Sequence, residues 1–376
     1  MPDHSRRSFV LVVFALFTVL VAAVALGRGE EDVGGAAAAA TASTTSPPVT
    51  AGVVTVRKGG GSIFDAPGAP PGPRLAAGLV MGFDAREGDL LRVVTPCDEA
   101  AWISTASVDI TPRAAPLEDD RPDPGSLVVV LDPGHGGAVP GAIGPSGLVE
   151  AVVNLDIAER ARVLLTDSHT VDWEAGAVGP GTSVPAFGRV ILTRSIGGPE
   201  GGDHELGLAH RAAVAGGAGA HALVSIHNNA NHRGPLAEPG SEVFYRVGDA
   251  ESGRLAGLVH EELVRSFRPF DADWQGAVPG PMARVDAETG ADFYGLLRLS
   301  KGPAVIAEGL YLTNPDEEAL LTRAEVRHAY AEALYRALVR FFLTDDTGTA
   351  LGGPVPYASD DGAVASECEL PLHQGS

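Results

Sequence analysis

The stretch SLVVVLDPGHGG, Ser126 to Gly137, decides the fold class, and the rest of the chain can be placed around it. Five consecutive hydrophobic residues, Leu127 to Leu131, run into Asp132, Pro133 and three glycines that flank His135. A short apolar run that stops at Pro and Gly reads as a buried strand ending in a tight loop. In an open α/β sheet the carboxyl end of a strand is where ligands bind. His135 is thus placed as a metal ligand, a general base or a structural turn residue, and this stretch alone does not choose among them.

Composition narrows the classes. The chain has 376 residues, 45% of them hydrophobic, enough for a sizeable core and more than one domain. Its formal charge of −21 argues against nucleic acid as a partner, because phosphate binding needs clustered Lys and Arg. The two cysteines, Cys97 and Cys368, are too few for a disulfide framework and lack CxxC spacing; they could pair in an oxidising compartment, but Cys368 falls in a segment whose composition reads as unstructured, so the expectation is that they stay unpaired.

Residues 1–8 read as a cytoplasmic N-terminus, and residues 9–26 are apolar apart from Thr18. Arg6 and Arg7 precede this run and Glu30, Glu31 and Asp32 follow it, which orients everything downstream to the outside. A run of about 18 to 20 residues can span a bilayer, so the reading favours a transmembrane anchor over a cleaved signal segment. Residues 27–50, rich in Gly, Ala, Thr, Ser and Pro, form a flexible linker. Residues 51–112 alternate β-like pieces with Gly and Pro turns and read as a small all-β domain. A Pro- and Asp-rich linker, 113–125, leads into the main domain, 126–343, and 344–376 reads as a disordered acidic tail.

Within 126–343 apolar strands alternate with helical patterns. VILTR (190–194), HALVSIH (221–227), EVFYRV (242–247) and PAVIAEG (303–309) read as strands. Val152, Leu155, Ala158, Ala161 and Leu165 give a first helix its apolar face. Asn314 caps a helix with Pro315 in its first turn, and Thr322 with Glu325 forms a capping box for the final helix. Strands spaced by helices imply a largely parallel, covered sheet.

Three ionisable groups end such strands: His135, His227 and Glu308; a fourth, Glu150, opens the first helix. Two His and one carboxylate are a ligand set that leaves a catalytic zinc an open position. Such an ion lowers the pKa of water, and a second carboxylate is then needed to carry its proton. Asp132 is a candidate for orienting a ligand from behind, and Arg211 is expected to pair with an acid in the fold. His169, His204, His210, His221, His232 and His260 are expected to be solvated or locally bonded.

With LDPGHGG, the GLVE segment 147–150, VILTR, Arg211, SIHNNA and AEGLYLTNPDE all in order, residues 126–343 resemble the zinc-dependent N-acetylmuramoyl-L-alanine amidases of bacterial cell-wall turnover. The resemblance implies an α/β fold, a mixed, mostly parallel sheet with helices on both faces, as in zinc exopeptidases. It implies Zn2+ on His135, Glu150 and His227, with Glu308 as catalytic acid and base, and places Arg298 for a substrate contact. The implied activity is hydrolysis, by zinc-activated water, of the amide between N-acetylmuramic acid and L-alanine in peptidoglycan. It also implies an exported enzyme of the cell envelope, held by its membrane anchor or secreted. The small β domain resembles SH3-like modules, through its glycine turn, GDLLRVV strand and Ala101–Ser104 segment. Alternatives are another zinc peptidase on the same fold and a non-catalytic wall-binding or regulatory protein. Three features depart from the family pattern: the insertion Ser168 to Gly188, Asn228 in SIHNNA, and the long segment Arg268 to Phe293. Oligomeric state is not specified by any of these features.

Overall fold

The computed structural model describes residues 48–119, 121–196, 198–199, 202–231, 234–358 and 368–374. The expected anchor or signal segment over 9–26, most of the expected linker over 27–50 and His232 lie outside the described residues. Among those described, no helix is long and apolar enough to cross a membrane.

The main domain is built on six strands: β1 (Val128–Pro133), β2 (Arg189–Leu192), β3 (Ala222–Asn229), β4 (Glu242–Tyr245), β5 (Gly280–Met282) and β6 (Ala304–Tyr311). Their order across the sheet is β2-β1-β3-β6-β4-β5. All neighbours are parallel except β6 and β4, which run antiparallel, so the sheet is mixed and mostly parallel. The helices are α1 (Glu150–Thr166), α2 (Leu208–Ala218), α3 (Ala250–Phe267), α4 (Gly295–Leu299), α5 (Pro315–Leu321) and α6 (Ala324–Leu343).

Strand alternation sorts the core onto two faces. Val129 and Leu131 join α1, α3 and α6 in one apolar cluster, whereas Val128 and Val130 join α2 and α4 in another. The core is therefore three layers, with β1 buried on both sides, which is why its sequence is continuous rather than alternating. The final helix buries Val326, Tyr330, Leu334, Leu338 and Phe341, as its spacing predicts. In α1 Ala158, Ala161 and Leu165 are buried as expected and Leu155 is half-buried, but the first position of the expected stripe fails. Val152 is 64% exposed and Val153 is buried in its place, because α1 faces its neighbours with Val153, Ile157 and Leu164 as well as Ala161 and Leu165.

Asn314 caps α5 as expected, its side chain accepting from Asp316 N at 2.9 Å. The capping box before α6 does not form. The N-cap is Arg323, and Thr322 Oγ1 instead donates back to Ala319 O at 2.6 Å, closing the preceding turn.

Residues 52–112 form a separate seven-stranded antiparallel sheet, packed against α2. Contact is backbone to backbone. A Cβ on Gly82 would lie 1.9 Å from Ala213 O, and one on Gly217 would lie 2.2 Å from Gly52 O. Gly82→Ala is therefore expected to destabilise the chain by about 2 to 3 kcal/mol through forced separation of strand and helix. Thermal unfolding beside Gly179→Ala, where nothing lies within 4 Å, checks it; equal melting points would contradict the packing account.

Two expectations fail at the C-terminal end. Residues 344–358 and 368–374 have defined places: Val355–Tyr357 is a strand parallel to Arg284–Asp286, and His373 N donates to Arg74 O at 2.8 Å on the small sheet. Cys97 and Cys368 form a disulfide. Composition averages over the whole tail, so it hides the few residues, Val355, Tyr357, Leu370 and Leu372, that dock onto other elements. The insertion after α1 also has structure, a three-stranded sheet of His169–Asp172, Ala177–Val178 and Thr182–Val184.

Candidate metal centre

His135 lies two residues beyond β1, and its backbone is left-handed with φ 62°, followed by Gly136 at 130° and Gly137 at 55°. A non-glycine residue in this region is held there by its surroundings at a cost of order 1 kcal/mol or more. Here two buried arginines do the holding. Arg211 Nη1 donates to Asp132 Oδ1 (2.6 Å) and Pro133 O (2.9 Å), and its Nη2 donates to His135 O (2.8 Å). Arg194 donates to Pro133 O (3.0 Å), Gly134 O (2.8 Å) and Ala151 O (2.7 Å). Asp132 also accepts from Thr193 (2.5 Å) and Ser225 (2.7 Å). Burial pushes the Asp132 carboxyl up, but the Arg211 charge and these hydrogen bonds outweigh it and hold the group below its usual range. The expected pairing of Arg211 with an acid is thus present. Arg194 was missed, although its place at the end of the VILTR strand follows the same rule that singles out His135, His227 and Glu308.

Glu150 is the first residue of α1 and sits between two imidazoles. Its Oε2 is 3.2 Å from His135 Nε2 and its Oε1 is 3.1 Å from His227 Nδ1. The two rings meet edge to face with centroids 4.9 Å apart, and one ligand atom from each of the three residues lies within 4.8 Å of the others. Burial disfavours the Glu150 anion, yet hydrogen bonds and charge from His135 and His227 keep the carboxyl well below the ordinary carboxylate range. Further donors fix its orientation: Ala142 N (2.8 Å), Asn154 Nδ2 (3.1 Å) and Asn228 N (3.2 Å). Asn228 Nδ2 also donates to Asn154 Oδ1 at 3.0 Å, so this departure from the family pattern supports Glu150 rather than disturbing it.

Glycines keep the cluster tight. A Cβ on Gly134 would fall 2.1 Å from the His227 ring, and one on Gly141 would fall 2.4 Å from Glu150 Oε2.

Glu308 faces His227 in register on the adjacent parallel strand β6. Its Oε2 is sealed from solvent with no hydrogen-bond partner among the described residues. Burial, then Glu150, then Glu242 push its carboxyl well above the ordinary range, and Arg284 opposes them. Glu242 and Arg284 were not singled out in the sequence. Glu242 is buried opposite Glu308 on β4 and accepts from Tyr311 Oη at 2.7 Å. Arg284 lies over the rings of Phe244 and Tyr357, each at 4.5 Å, and donates to Tyr294 Oη at 2.8 Å. A glutamate opening EVFY was a readable signal for the first; the second depends on the tail that supplies Tyr357.

Arg298 is exposed on α4 and spends its hydrogen bonds on the loop that leads into the helix, to Asp292 O (2.5 Å) and Phe293 O (3.5 Å). The arginine whose charge reaches Glu308 is Arg284 instead. Among the remaining histidines, His221 bonds to distant segments, with its ring nitrogens 3.0 Å from Val128 N and 2.9 Å from Ala115 O. His210, expected at a solvated or locally bonded position, is fully buried, with Nδ1 3.0 Å from Val94 O; burial pulls its pKa down to about 4.

Two imidazoles and a carboxylate within a few ångströms, one of them an anion held between potential cations, match the donor chemistry of a zinc or similar divalent site. The buried Oε2 of Glu308 beside them has no hydrogen-bond partner among the described residues, which leaves it open to exchange a proton with a bound water. The residues therefore fit a metal with a proton carrier beside it.

Comparison with known proteins agrees. The sequence profile of a family described as N-acetylmuramoyl-L-alanine amidase matches residues 129–175 and 186–340, skipping only part of the insertion. The chain is 30% identical over 216 residues to the N-acetylmuramoyl-L-alanine amidase LytC of Bacillus subtilis, covering 57% of this chain and 35% of that protein. It is 27% identical to the N-acetylmuramoyl-L-alanine amidase AmiA of Escherichia coli, covering 58% and 77% respectively. Among solved structures, an N-acetylmuramoyl-L-alanine amidase from Clostridium difficile 630 is 26% identical over 57% of this chain and 96% of that one, with a TM-score of 0.42. The chain spans about a third of the length of its Bacillus relative, and the small antiparallel sheet lies outside the matched residues. With the profile matched over more than half of its 376 residues, this chain belongs to the N-acetylmuramoyl-L-alanine amidase family.

Proposed function

We propose that the chain hydrolyses the amide between the lactyl group of N-acetylmuramic acid and the first L-alanine of the peptidoglycan stem. The observation that carries this reading is the convergence of His135, Glu150 and His227 beside the unpaired carboxylate oxygen of Glu308, in a chain of this family. His135, Glu150 and His227 would hold a zinc ion, which when bound supplies Lewis acidity toward the scissile carbonyl and toward water. Glu308 accepts the proton of the attacking water on its carboxylate and returns it to the departing alanine nitrogen, so one group serves as base and then acid. The apolar strand around Glu308 keeps other water from that oxygen, and the glycines at 134 and 141 keep side chains out of the ligand cluster. Peptidoglycan as substrate fits an exported protein, with residues 9–26 as the segment that directs or anchors it.

Solubilisation of dye-labelled cell walls tests the metal requirement. A chelator should stop dye release and added zinc should restore it. Release indifferent to the chelator would sink the reading.

A further inference from the structure

We infer that Asp98, in the small antiparallel sheet, is a positioning residue for the metal centre: it caps the helix that holds the His135 loop. The inference rests on the metal reading of His135.

Helix α2 lacks a cap of its own. Its N-cap residue is Gly207, with no side chain to satisfy the first-turn amides. Asp98 supplies what is missing from another part of the chain. Its Oδ1 accepts from the amide of His210, the third residue of the helix, at 2.8 Å, the place a local N-cap side chain would fill. The carboxylate fits so closely over Gly207 that a Cβ there would lie 2.1 Å from Oδ1. Two more bonds tie the same turn to the helix: Gly207 N to Pro96 O at 2.7 Å, and His210 Nδ1 with Val94 O at 3.0 Å.

The turn itself is fixed. Asp98 has a left-handed backbone with φ 63°, Asp98 N donates to Thr95 O at 3.0 Å, and the neighbouring Cys97 is bonded to Cys368. The residue after His210 is Arg211, whose guanidinium carries Asp132, Pro133 O and His135 O. A continuous path of short bonds thus runs from Asp98 through the first turn of α2 to a candidate ligand whose backbone is itself strained. Asp98 lies outside the residues that match the family, so this support belongs to the sheet attached in this chain.

The test compares zinc affinity, by chelator competition, in the full chain and three variants. Asp98→Gly removes the carboxylate while tolerating the positive φ. Asp98→Asn keeps a capping oxygen and the conformation. Val54→Ala disturbs the core of the small sheet, in an apolar cluster that holds no α2 residue. Asp98→Gly should weaken zinc about tenfold, in the range seen when groups behind a metal ligand are removed. Asp98→Asn should restore most of it, and Val54→Ala should lower the melting point with zinc affinity unchanged. Should Asp98→Gly fail to fold, Gly207→Ala, which displaces the carboxylate, must weaken zinc in the same direction. Unchanged zinc affinity in Asp98→Gly, or an equal loss in Val54→Ala, overturns the inference while leaving the metal reading intact. An unaltered chain that binds no zinc overturns both.

Discussion

Glu308→Gln is expected to hydrolyse cell wall more slowly by about 10² to 10⁴-fold, the usual contribution of a positioned acid and base, while binding zinc as tightly as the unaltered chain. The split follows from geometry. Glu308 is on β6, in register with His227 but outside the three-residue ligand cluster, so removing its charge leaves those donors in place. Glutamine has nearly the same shape and cannot take up a proton. The unaltered enzyme should also show an acid limb where Glu308 gives up its proton, because only the anion can act as base; without the ion, burial, then Glu150, then Glu242 favour the protonated form. Activity therefore rises with pH through that limb. Rates over a pH series and zinc titration of both proteins check this; a Glu308→Gln variant that keeps full activity contradicts the assignment.

Glu150→Gln should abolish the metal site. The carboxylate accepts from Ala142 N, Asn154 and Asn228 N while facing both imidazoles. An amide in its place loses the anion and turns an NH2 group towards donors or towards the ion. Zinc should weaken by more than about 100-fold, the upper end of what groups behind the ligands alone cost. The unaltered chain should gain thermal stability as zinc exceeds its dissociation constant, and the variant should gain none at the same concentration. An identical rise in melting point for both would remove Glu150 from the ligand set.

How much of this was legible in sequence depends on whether a signal is local. Strand ends are local, and LDPGHGG, HALVSIH and PAVIAEG are enough to place His135, His227 and Glu308. Apolar runs spaced by period-3.6 patterns gave the covered, mostly parallel sheet, with one misplaced position in α1, where Val152 and Val153 are both apolar and periodicity cannot choose between them. Contacts between distant segments were invisible. Asp98 looks like any turn aspartate until α2 is seen against it. Arg284 gains one of its aromatic neighbours, Tyr357, from a tail whose composition reads as disorder. The strand Gly280–Met282 escaped because GPM is short and carries Pro, yet on an edge strand such as β5 a missing amide costs nothing. Arg298 was placed by family likeness, and its hydrogen bonds go to the loop before its helix.

The most direct test of the central claim is mass spectrometry of purified peptidoglycan digested by the full chain. Cleavage at the proposed bond releases intact stem peptides with a free L-alanine amino terminus and leaves glycan strands whose N-acetylmuramic acid keeps its lactyl carboxylate. Cuts confined to bonds within the stem, or no release at all with zinc bound, would contradict it.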